Sequence, residues 1–304
     1  MPLLPPAMPP AALTAIPWVV TPDGAKQSTF LKDLEQWRKN RHDRLSSENG
    51  WLTLVGLSWL AEGENAFGSD SSNPVPLPEK KAPAKAGVLV LDHGAVKVKV
   101  APGSGVHLNG KPVEAAEAQA LKSDADGKPD LLSLGDLSFF VIKRGDRFGI
   151  RVKDSKSPVR TGFKGVASFP ADSTYQVIAE FVPYATPKDI EIPTVLGTSE
   201  TMQAPGYVKF KLQGKDLTLE PVIEDPKDPQ LFFIFRDKTS GKGTYPAGRF
   251  LYAAMPKDGK VILDFNRSYN PPCAFTPFAT CPLPPPQNRL PIAVKAGEKT
   301  YGDH

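Results

Sequence analysis

Apolar and polar residues alternate with a period of two along most of the chain from residue 87 to residue 154. The run AVKVKV at 95–100 puts its valines on one face and its lysines on the other, which is typical of a strand with one buried face. An Asn-Gly pair at 109–110 predicts a tight hairpin turn. Residues 136–154 predict two further strands joined by a Gly-containing turn.

A second periodicity, close to 3.6 residues, is confined to residues 28–45. Phe30, Leu34, Trp37 and Leu45 fall on one stripe of a helix there, with charged residues outside the stripe. The pattern predicts a helix that packs on a sheet.

A second series of alternating segments follows residue 165, with turn residues at intervals of about ten positions. The predicted strands are 174–184, 188–196, 206–213, 216–223, 230–237, 248–254 and 260–265. Such a series is typical of an antiparallel meander, sandwich or barrel. Residues 155–165 carry Pro and Gly without an apolar pattern, so we place the module boundary there.

We therefore predict an all-β fold in three parts. Residues 1–27 are a flexible Pro-rich leader, and residues 28–154 are a helix plus a β-sandwich. Residues 165–304 are an antiparallel meander or barrel-like module, closed or nearly so, with a Pro/Cys-rich C-terminal segment at residues 264–299.

The first module resembles a forkhead-associated β-sandwich in the order of GENAFGSD, VPLP, AGVLVL, VHLNGKPV and LLSLGDLSFFVI. It departs from that family where phosphothreonine is recognised, because Ser69 follows Gly68 in place of the family's Gly-Arg pair. The family's Ser-x-x-His is also missing after VPLP. The resemblance therefore implies the sandwich without phosphopeptide binding.

The charge and composition of the chain limit the kinds of function that it can have. The 304 residues are 40% hydrophobic and 23% charged, with a formal net charge of +4 and interspersed signs. This predicts a globular protein with no nucleic-acid partner. No apolar run approaches the ~20 residues of a membrane span. The leader lacks the basic start of a signal peptide, so we expect a soluble, cytoplasmic protein, or an exported one if the true start lies upstream.

The chain contains GWL at 50–52, FGSD at 67–70, FRDKTSGKGTYPAGRF at 235–250, and the two blocks YNPPCAFTP and CPLPPPQNRLP within 269–291. In these motifs it resembles a bacterial family of unknown function, DUF1684, over roughly residues 35–300. Gln287 departs from the Glu that we expect the family to prefer. The resemblance implies no established activity.

Polar residues gather at the strand ends of the second module, where the rigid C-terminal segment is expected to return. An Arg among carboxylates and amides can bind a carboxylate or phosphate. Alternatively, Asp237 and Arg249 form a salt bridge across a hairpin and the Asn residues cap turns. The candidate ligand-binding residues are Asp237, Thr239, Tyr245, Arg249, Asp264, Asn266, Tyr269, Asn270, Asn288 and Arg289.

The two cysteines, Cys273 and Cys281, are compatible with three states. They form a disulfide that stiffens the segment, or they are buried reduced thiols, or one is a catalytic thiolate or metal ligand. None of the four histidines lies within the strands of the second module. A Cys/His pair would therefore have to span both modules.

Three function hypotheses remain open from the residues alone. The leading one is a β protein that binds a small ligand at the mouth of the second module. The second is a hydrolase-type enzyme that uses Asp264 with Arg249, or less favourably Cys273 as nucleophile. The third is a structural protein whose C-terminal segment seals the core. We expect no metal and no cofactor, and the pattern leaves the oligomeric state open.

Overall fold

The computed structural model describes residues 24–114 and 118–302. These residues divide into two compact units, one of residues 45–163 and one of residues 24–44 together with 164–302. The helical residues 28–44 group with the second unit, whereas the predicted module boundaries put them with the first. Of the predicted leader, residues 1–27, the first 23 residues lie outside the described residues.

The long N-terminal helix, α1 (Gly24–Leu45), contains the predicted helical stripe. Leu34, Trp37 and Leu45 are buried, and Phe30 is half-buried. His42 and Arg44 lie in the last turn, where cations stabilise the negative end of the helix dipole. None of the helices in the described part of the chain combines the length and the apolar character needed to cross a membrane.

The first unit consists of two sheets that share one hydrophobic core. One sheet has the order β1-β11-β10-β9-β6-β7 and the other β3-β2-β4-β5-β8; all pairs are antiparallel except β2 with β3. The strands are β1 (Leu54–Trp59), β2 (Gly63–Gly68), β3 (Val75–Pro76), β4 (Gly87–Asp92), β5 (Ala95–Val100), β6 (His107–Leu108), β7 (Lys111–Pro112), β8 (Gln119–Leu121), β9 (Leu132–Leu134), β10 (Leu137–Arg144) and β11 (Arg147–Asp154). A short helix, α2 (Pro158–Thr161), follows them.

The turns predicted in the first unit lie at the expected positions. Asn109 and Gly110 have φ values of 50° and 81° between β6 and β7, and this left-handed geometry is the reason for the Asn-Gly pair. Strand β5 buries its valines and leaves Lys97 and Lys99 outside the core. The all-β prediction is confirmed for this unit.

The second unit contains a four-stranded antiparallel sheet, β14-β13-β12-β17, and a separate pair, β15-β16. Its strands are β12 (Gln176–Pro193), β13 (Ser199–Leu212), β14 (Lys215–Leu219), β15 (Leu231–Phe235), β16 (Arg249–Ala253) and β17 (Lys260–Asp264). The predicted near-closed barrel is therefore wrong for the described residues. Between β14 and β15 the pairing is reduced to a single bridge, Val222 with Phe232, in a stretch that has prolines at 221, 226 and 229.

The β15-β16 pair has two differently occupied faces. Phe233 and Leu251 point into the core that the pair shares with the four-stranded sheet. Phe232 and Tyr252 point the other way and stack with ring centroids 4.6 Å apart. On that second face Tyr269 also contacts Trp37 of α1, at 6.3 Å between ring centroids.

The C-terminal segment runs along the open edge of β15. The Arg236 amide donates to the carbonyl of residue 288 at 3.0 Å, the Leu290 amide donates to the Arg236 carbonyl at 2.7 Å, and the Lys238 amide donates to the Ile292 carbonyl at 2.8 Å. Because an unpaired edge is prone to association, this pairing protects the sheet. The segment therefore covers an edge, and it also fixes side chains over the hairpin.

Candidate functional site

The predicted pair Asp237 and Arg249 forms an ion pair across the β15-β16 hairpin. Arg249 Nη2 donates to Asp237 Oδ2 at 2.8 Å and to the Val294 carbonyl at 2.9 Å. Arg249 Nη1 also donates to the Ala296 carbonyl. Since Arg249 is 1% exposed, its guanidinium holds the C-terminal segment and does not face a ligand from solvent.

Asp237 is further occupied by its own turn. Its Oδ1 accepts from the amide and the hydroxyl of Thr239, at 2.7 and 2.6 Å, and from the Val294 amide at 3.2 Å. The Thr239 hydroxyl in turn pairs with that of Thr244 at 2.8 Å. The salt-bridge alternative left open by the sequence is therefore the geometry that these residues have.

Asp264 and Asn266 support the turn that follows β17. Asp264 Oδ1 accepts from the amide and the side-chain nitrogen of Asn266, at 3.1 and 2.9 Å, and Oδ2 lies 3.3 Å from Arg267 Nε. Asn266 also bonds both backbone groups of Asp172. This fully engaged carboxylate gives a hydrolase based on Asp264 and Arg249 no geometric support.

Asn288 and Arg289 are neighbours in sequence with different roles. Asn288 is buried and bonds the amide and carbonyl of Glu220, each at 2.8 Å, which ties β14 to the C-terminal segment. Arg289 is exposed and, with Arg236 and Lys238, lines a shallow depression of about 350 Å³. Only Arg289 of this pair is accessible to a ligand.

Gln287, the departure from the expected family pattern, faces a carboxylate. Its Nε2 donates to Glu220 Oε2 at 2.6 Å, and the Tyr184 hydroxyl donates to Oε1 of the same residue. A Glu at position 287 would place a second negative charge there. The amide is therefore the residue that suits this chain's Glu220.

Tyr269 and Asn270 lie in a buried contact between α1 and the C-terminal segment. Arg41 donates to Glu298 Oε1 at 2.9 Å and to the Asn270 carbonyl at 2.9 Å. The Asn270 amide donates to Glu298 Oε2 at 2.7 Å. Arg41 Cζ also lies 4.5 Å from the centroid of the Tyr269 ring, a cation–π arrangement.

Glu224, which no sequence pattern singled out, is the acid in this region whose pKa is changed most by its surroundings. Its Oε2 accepts a hydrogen bond from the Tyr252 hydroxyl. Burial raises the pKa of Glu224 to about 7, and the nearby Glu200 and Asp225 act in the same direction, whereas the Tyr252 hydrogen bond opposes them. The carboxyl therefore changes its charge near neutral pH.

The surroundings of this carboxyl combine phenols with cations. Tyr252 and Tyr269 lie with nearly parallel rings, 6.3 Å between centroids, and burial raises the pKa of both phenols. Arg41 and Arg44 interact electrostatically with Tyr269. We call Glu224, Tyr252, Tyr269, Arg41 and Arg44 the phenol–carboxyl cluster. All five are half-buried, which leaves each of them partly open to solvent.

The cluster has the elements of proton exchange and anion binding. A carboxyl with a pKa near 7 can donate or accept a proton at neutral pH, and a protonated carboxyl can donate a hydrogen bond to an anion. Arginine is the side chain best suited to carboxylates and phosphates. The arrangement therefore offers an acid that titrates near pH 7, two phenols, and two arginines, of which Arg41 is ion-paired with Glu298.

Both cysteines are thiols, so the disulfide alternative is not the state of this structure. The Cys273 amide donates to Cys281 Sγ at 3.1 Å, and the Tyr245 hydroxyl donates to the Cys273 carbonyl at 3.1 Å. The predicted site residue Tyr245 thus belongs with the thiols and not with Arg249.

A further polar group lies at the surface of the first unit. Glu62, Asp92 and His93 offer ligand atoms within 4.8 Å of one another, and all three are exposed. Hydrogen bonds account for this arrangement, because Asp92 contacts His93 Nδ1 at 2.8 Å and Glu62 accepts from the His93 amide at 2.8 Å. The Asp92 hydrogen bond raises the pKa of His93.

Several members of the phenol–carboxyl cluster carried weak sequence signals. Trp37, Arg41 and Arg44 lie four and three residues apart, which puts them on one helical face. Tyr252 is a polar-tipped residue in a strand that otherwise reads as core. Glu224 lies in a Pro-containing loop without periodicity, so only its tertiary contacts reveal it.

Among known protein families, residues 161–299 match the one described as "Protein of unknown function (DUF1684)". No protein of curated function matches the chain. Among solved structures, an uncharacterised protein from gene locus rrnAC0354 of Haloarcula marismortui is 33% identical; the match covers 48% of this chain and 81% of that one, with a TM-score of 0.40.

Two forkhead-associated domains are also similar in structure. One comes from a study of phosphothreonine-dependent interactions; it is 21% identical, and the match covers 33% of this chain and 96% of that one with a TM-score of 0.23. The FHA1 domain of yeast Rad53 is 16% identical, and the match covers 38% of this chain and 66% of that one with a TM-score of 0.19. The chain thus has forkhead-associated domains among its structural neighbours.

Proposed function

The chain belongs to the DUF1684 family, and from this premise we propose that its second unit binds a small organic carboxylate at the phenol–carboxyl cluster. The observation that carries the proposal is the hydrogen bond between the Tyr252 hydroxyl and Glu224, in a setting that keeps the acid protonated up to neutral pH. This site replaces the one centred on Arg249, whose guanidinium is sealed.

Charge complementarity favours an anionic ligand. Arg41 and Arg44 are both half-buried. The charge of Arg41 is balanced by its ion pair with Glu298, so Arg44 supplies the net positive charge beside the two phenols. Burial lowers the pKa of Arg44, while Tyr269, Tyr252 and Glu298 counteract this effect. An arginine that is partly withdrawn from water gains more from an anionic partner than one at the open surface does.

Glu224 supports the same ligand class only in its neutral form. A protonated carboxyl donates a hydrogen bond to a carboxylate, whereas an ionised one repels it. A bound carboxylate therefore raises the pKa of Glu224 further, and binding takes up a proton at pH values above 7. Affinity is coupled to pH through this one residue.

The experiment is a thermal-shift measurement at pH 6.5 with acetate and benzoate as probes, and with choline and benzyl alcohol as cationic and neutral controls. We expect benzoate to raise the melting temperature through linkage. The rise should be lost in Arg44→Met, which removes a cluster cation. It should persist in Lys39→Met, which removes an exposed charge of the same helix.

Two results would overturn the proposal. One is the absence of any carboxylate-dependent rise in the unsubstituted protein. The other is an equal rise in Arg44→Met, since binding would then occur elsewhere, for instance at the basic depression lined by Arg236, Lys238 and Arg289.

A further inference from the structure

Cys273 and Cys281 form a pair of hydrogen-bonded thiols at the start of the C-terminal segment. The Cys273 thiol bonds the Cys281 thiol, and the Cys273 amide donates to Cys281 Sγ at 3.1 Å. Pro272 precedes the first cysteine and Pro282 follows the second. Because proline restricts the backbone, the two sulfurs are held together by stiff chain on both sides.

The two thiols differ in access. Cys281 is 3% exposed, whereas Cys273 is half-buried and can meet a small solute. Hydrogen bonds from Cys281 and from Tyr245 lower the pKa of Cys273, although burial opposes them. A thiolate is the reactive form of cysteine. One thiol is therefore accessible and activated, and its partner is protected beside it.

We propose that Cys273 and Cys281 are a peroxide-reactive dithiol, with Cys273 as the attacking thiol and Cys281 as the resolving thiol. This activity goes beyond carboxylate binding, and it uses none of the five residues of the phenol–carboxyl cluster. No group of three metal-ligating side chains in the described residues includes either cysteine, so the pair favours redox chemistry over a metal site.

The chemistry balances with hydrogen peroxide as the oxidant. The Cys273 thiolate attacks one peroxide oxygen, an S–O bond forms, the O–O bond breaks, and the departing hydroxide takes up a proton to become water. Cys281 then attacks the sulfenic sulfur, an S–S bond forms, the S–O bond breaks, and a second water leaves with the Cys281 proton. Two thiols thereby give two electrons to one peroxide, and a small dithiol reductant restores them by exchange.

The test uses the full chain, whose only two cysteines make thiol counting unambiguous. Native protein is treated with one equivalent of hydrogen peroxide at pH 7, and thiols are counted over time against urea-unfolded protein. At a pH below the pKa of Cys273, each unit by which that pKa falls raises the fraction of thiolate about tenfold. The same fall makes the thiolate about threefold less nucleophilic. We therefore expect native oxidation to be about threefold faster for each unit of pKa lowering, with both thiols lost together in a monomer.

Three variants separate the roles. Cys281→Ser should stop the reaction at a sulfenic acid on Cys273 that dimedone traps, and Cys273→Ser should leave Cys281 unreactive. Tyr245→Phe keeps the ring and removes the hydroxyl that lowers the pKa of Cys273, so its pH–rate profile should move to higher pH. Reduction with dithiothreitol should return both thiols.

The proposal is overturned if native oxidation is no faster than oxidation of the unfolded chain, or if the product is a disulfide-linked dimer. It is also overturned if Cys281→Ser forms no dimedone adduct while it remains folded by circular dichroism.

Discussion

Arg249 and Asp237 form an ion pair with 2.8 Å between Nη2 and Oδ2, and each side chain is 1% exposed. Both residues also bond Val294. Arg249 donates to the Val294 carbonyl, and the Val294 amide donates to Asp237. One buried pair therefore joins the β15-β16 hairpin to the C-terminal segment. Its role is to fix that segment in place.

Asp237→Ala should destabilise the protein by about 3–5 kcal/mol, because it leaves the Arg249 charge buried without its partner. Urea unfolding followed by tryptophan fluorescence measures the effect. The exposed pair Lys39–Asp43 is the matched control, and Asp43→Ala should cost less than about 1 kcal/mol. Equal costs for the two substitutions would contradict the structural role of Arg249 and Asp237.

Gly297→Ala should destabilise the second unit because of a close approach. Gly297 has φ +78°, and a Cβ there would lie 2.4 Å from the Ser268 carbonyl oxygen. Gly302→Ala is the control, since Gly302 has φ +71° and open space around it. The control measures only the conformational cost, about 1–2 kcal/mol. Gly297→Ala should exceed it in thermal denaturation, and similar values would contradict the tight packing at position 297.

The stability of the protein should fall as pH rises from about 5 to about 7. The pKa of Glu224 is about 7 in the folded chain and 4.5 as its ordinary value, so in this window the folded state holds a proton that the unfolded state has released. Each pKa unit corresponds to about 1.4 kcal/mol, which sets an upper value of about 3.5 kcal/mol. Below pH 4.5 the stabilisation is fully present, and it is lost as pH passes 7.

The control for that pH dependence is Glu224→Gln, which cannot ionise. Unfolding free energies of both proteins are measured from pH 4.5 to 8. We expect the variant to lack the fall and to be the more stable of the two at pH 8. A parallel fall in the variant would assign the effect to another group.

Local pattern was sufficient to find most strands, because alternation reflects a buried face directly. Strand β5 has the bounds of the AVKVKV run. Strand β12 was predicted as two strands, since Pro183 and Pro187 interrupt its alternation, yet it continues from Gln176 to Pro193 with a shifted register. The sequence pattern does not reveal whether the strands of the second module close into a barrel, because closure depends on pairing between segments that are distant in the chain.

The site was harder to predict for a physical reason. The sequence pattern places Arg249 and Asp237 together, but the carbonyls of residues 294 and 296 that seal Arg249 have no sequence signature. Glu224 owes its properties to burial and to Tyr252, which is 28 residues away. Polar residues were identifiable from composition, whereas their exposure depended on contacts that only the fold defines.

The most direct test of the central claim is isothermal titration of benzoate from pH 6 to 8.5 into the unsubstituted protein and Glu224→Gln. We predict that the dissociation constant rises above pH 7 by up to about tenfold for each pH unit in the unsubstituted protein, and that it is independent of pH in the variant. Absence of binding at pH 6, or the same pH dependence in both proteins, would contradict carboxylate binding at the phenol–carboxyl cluster.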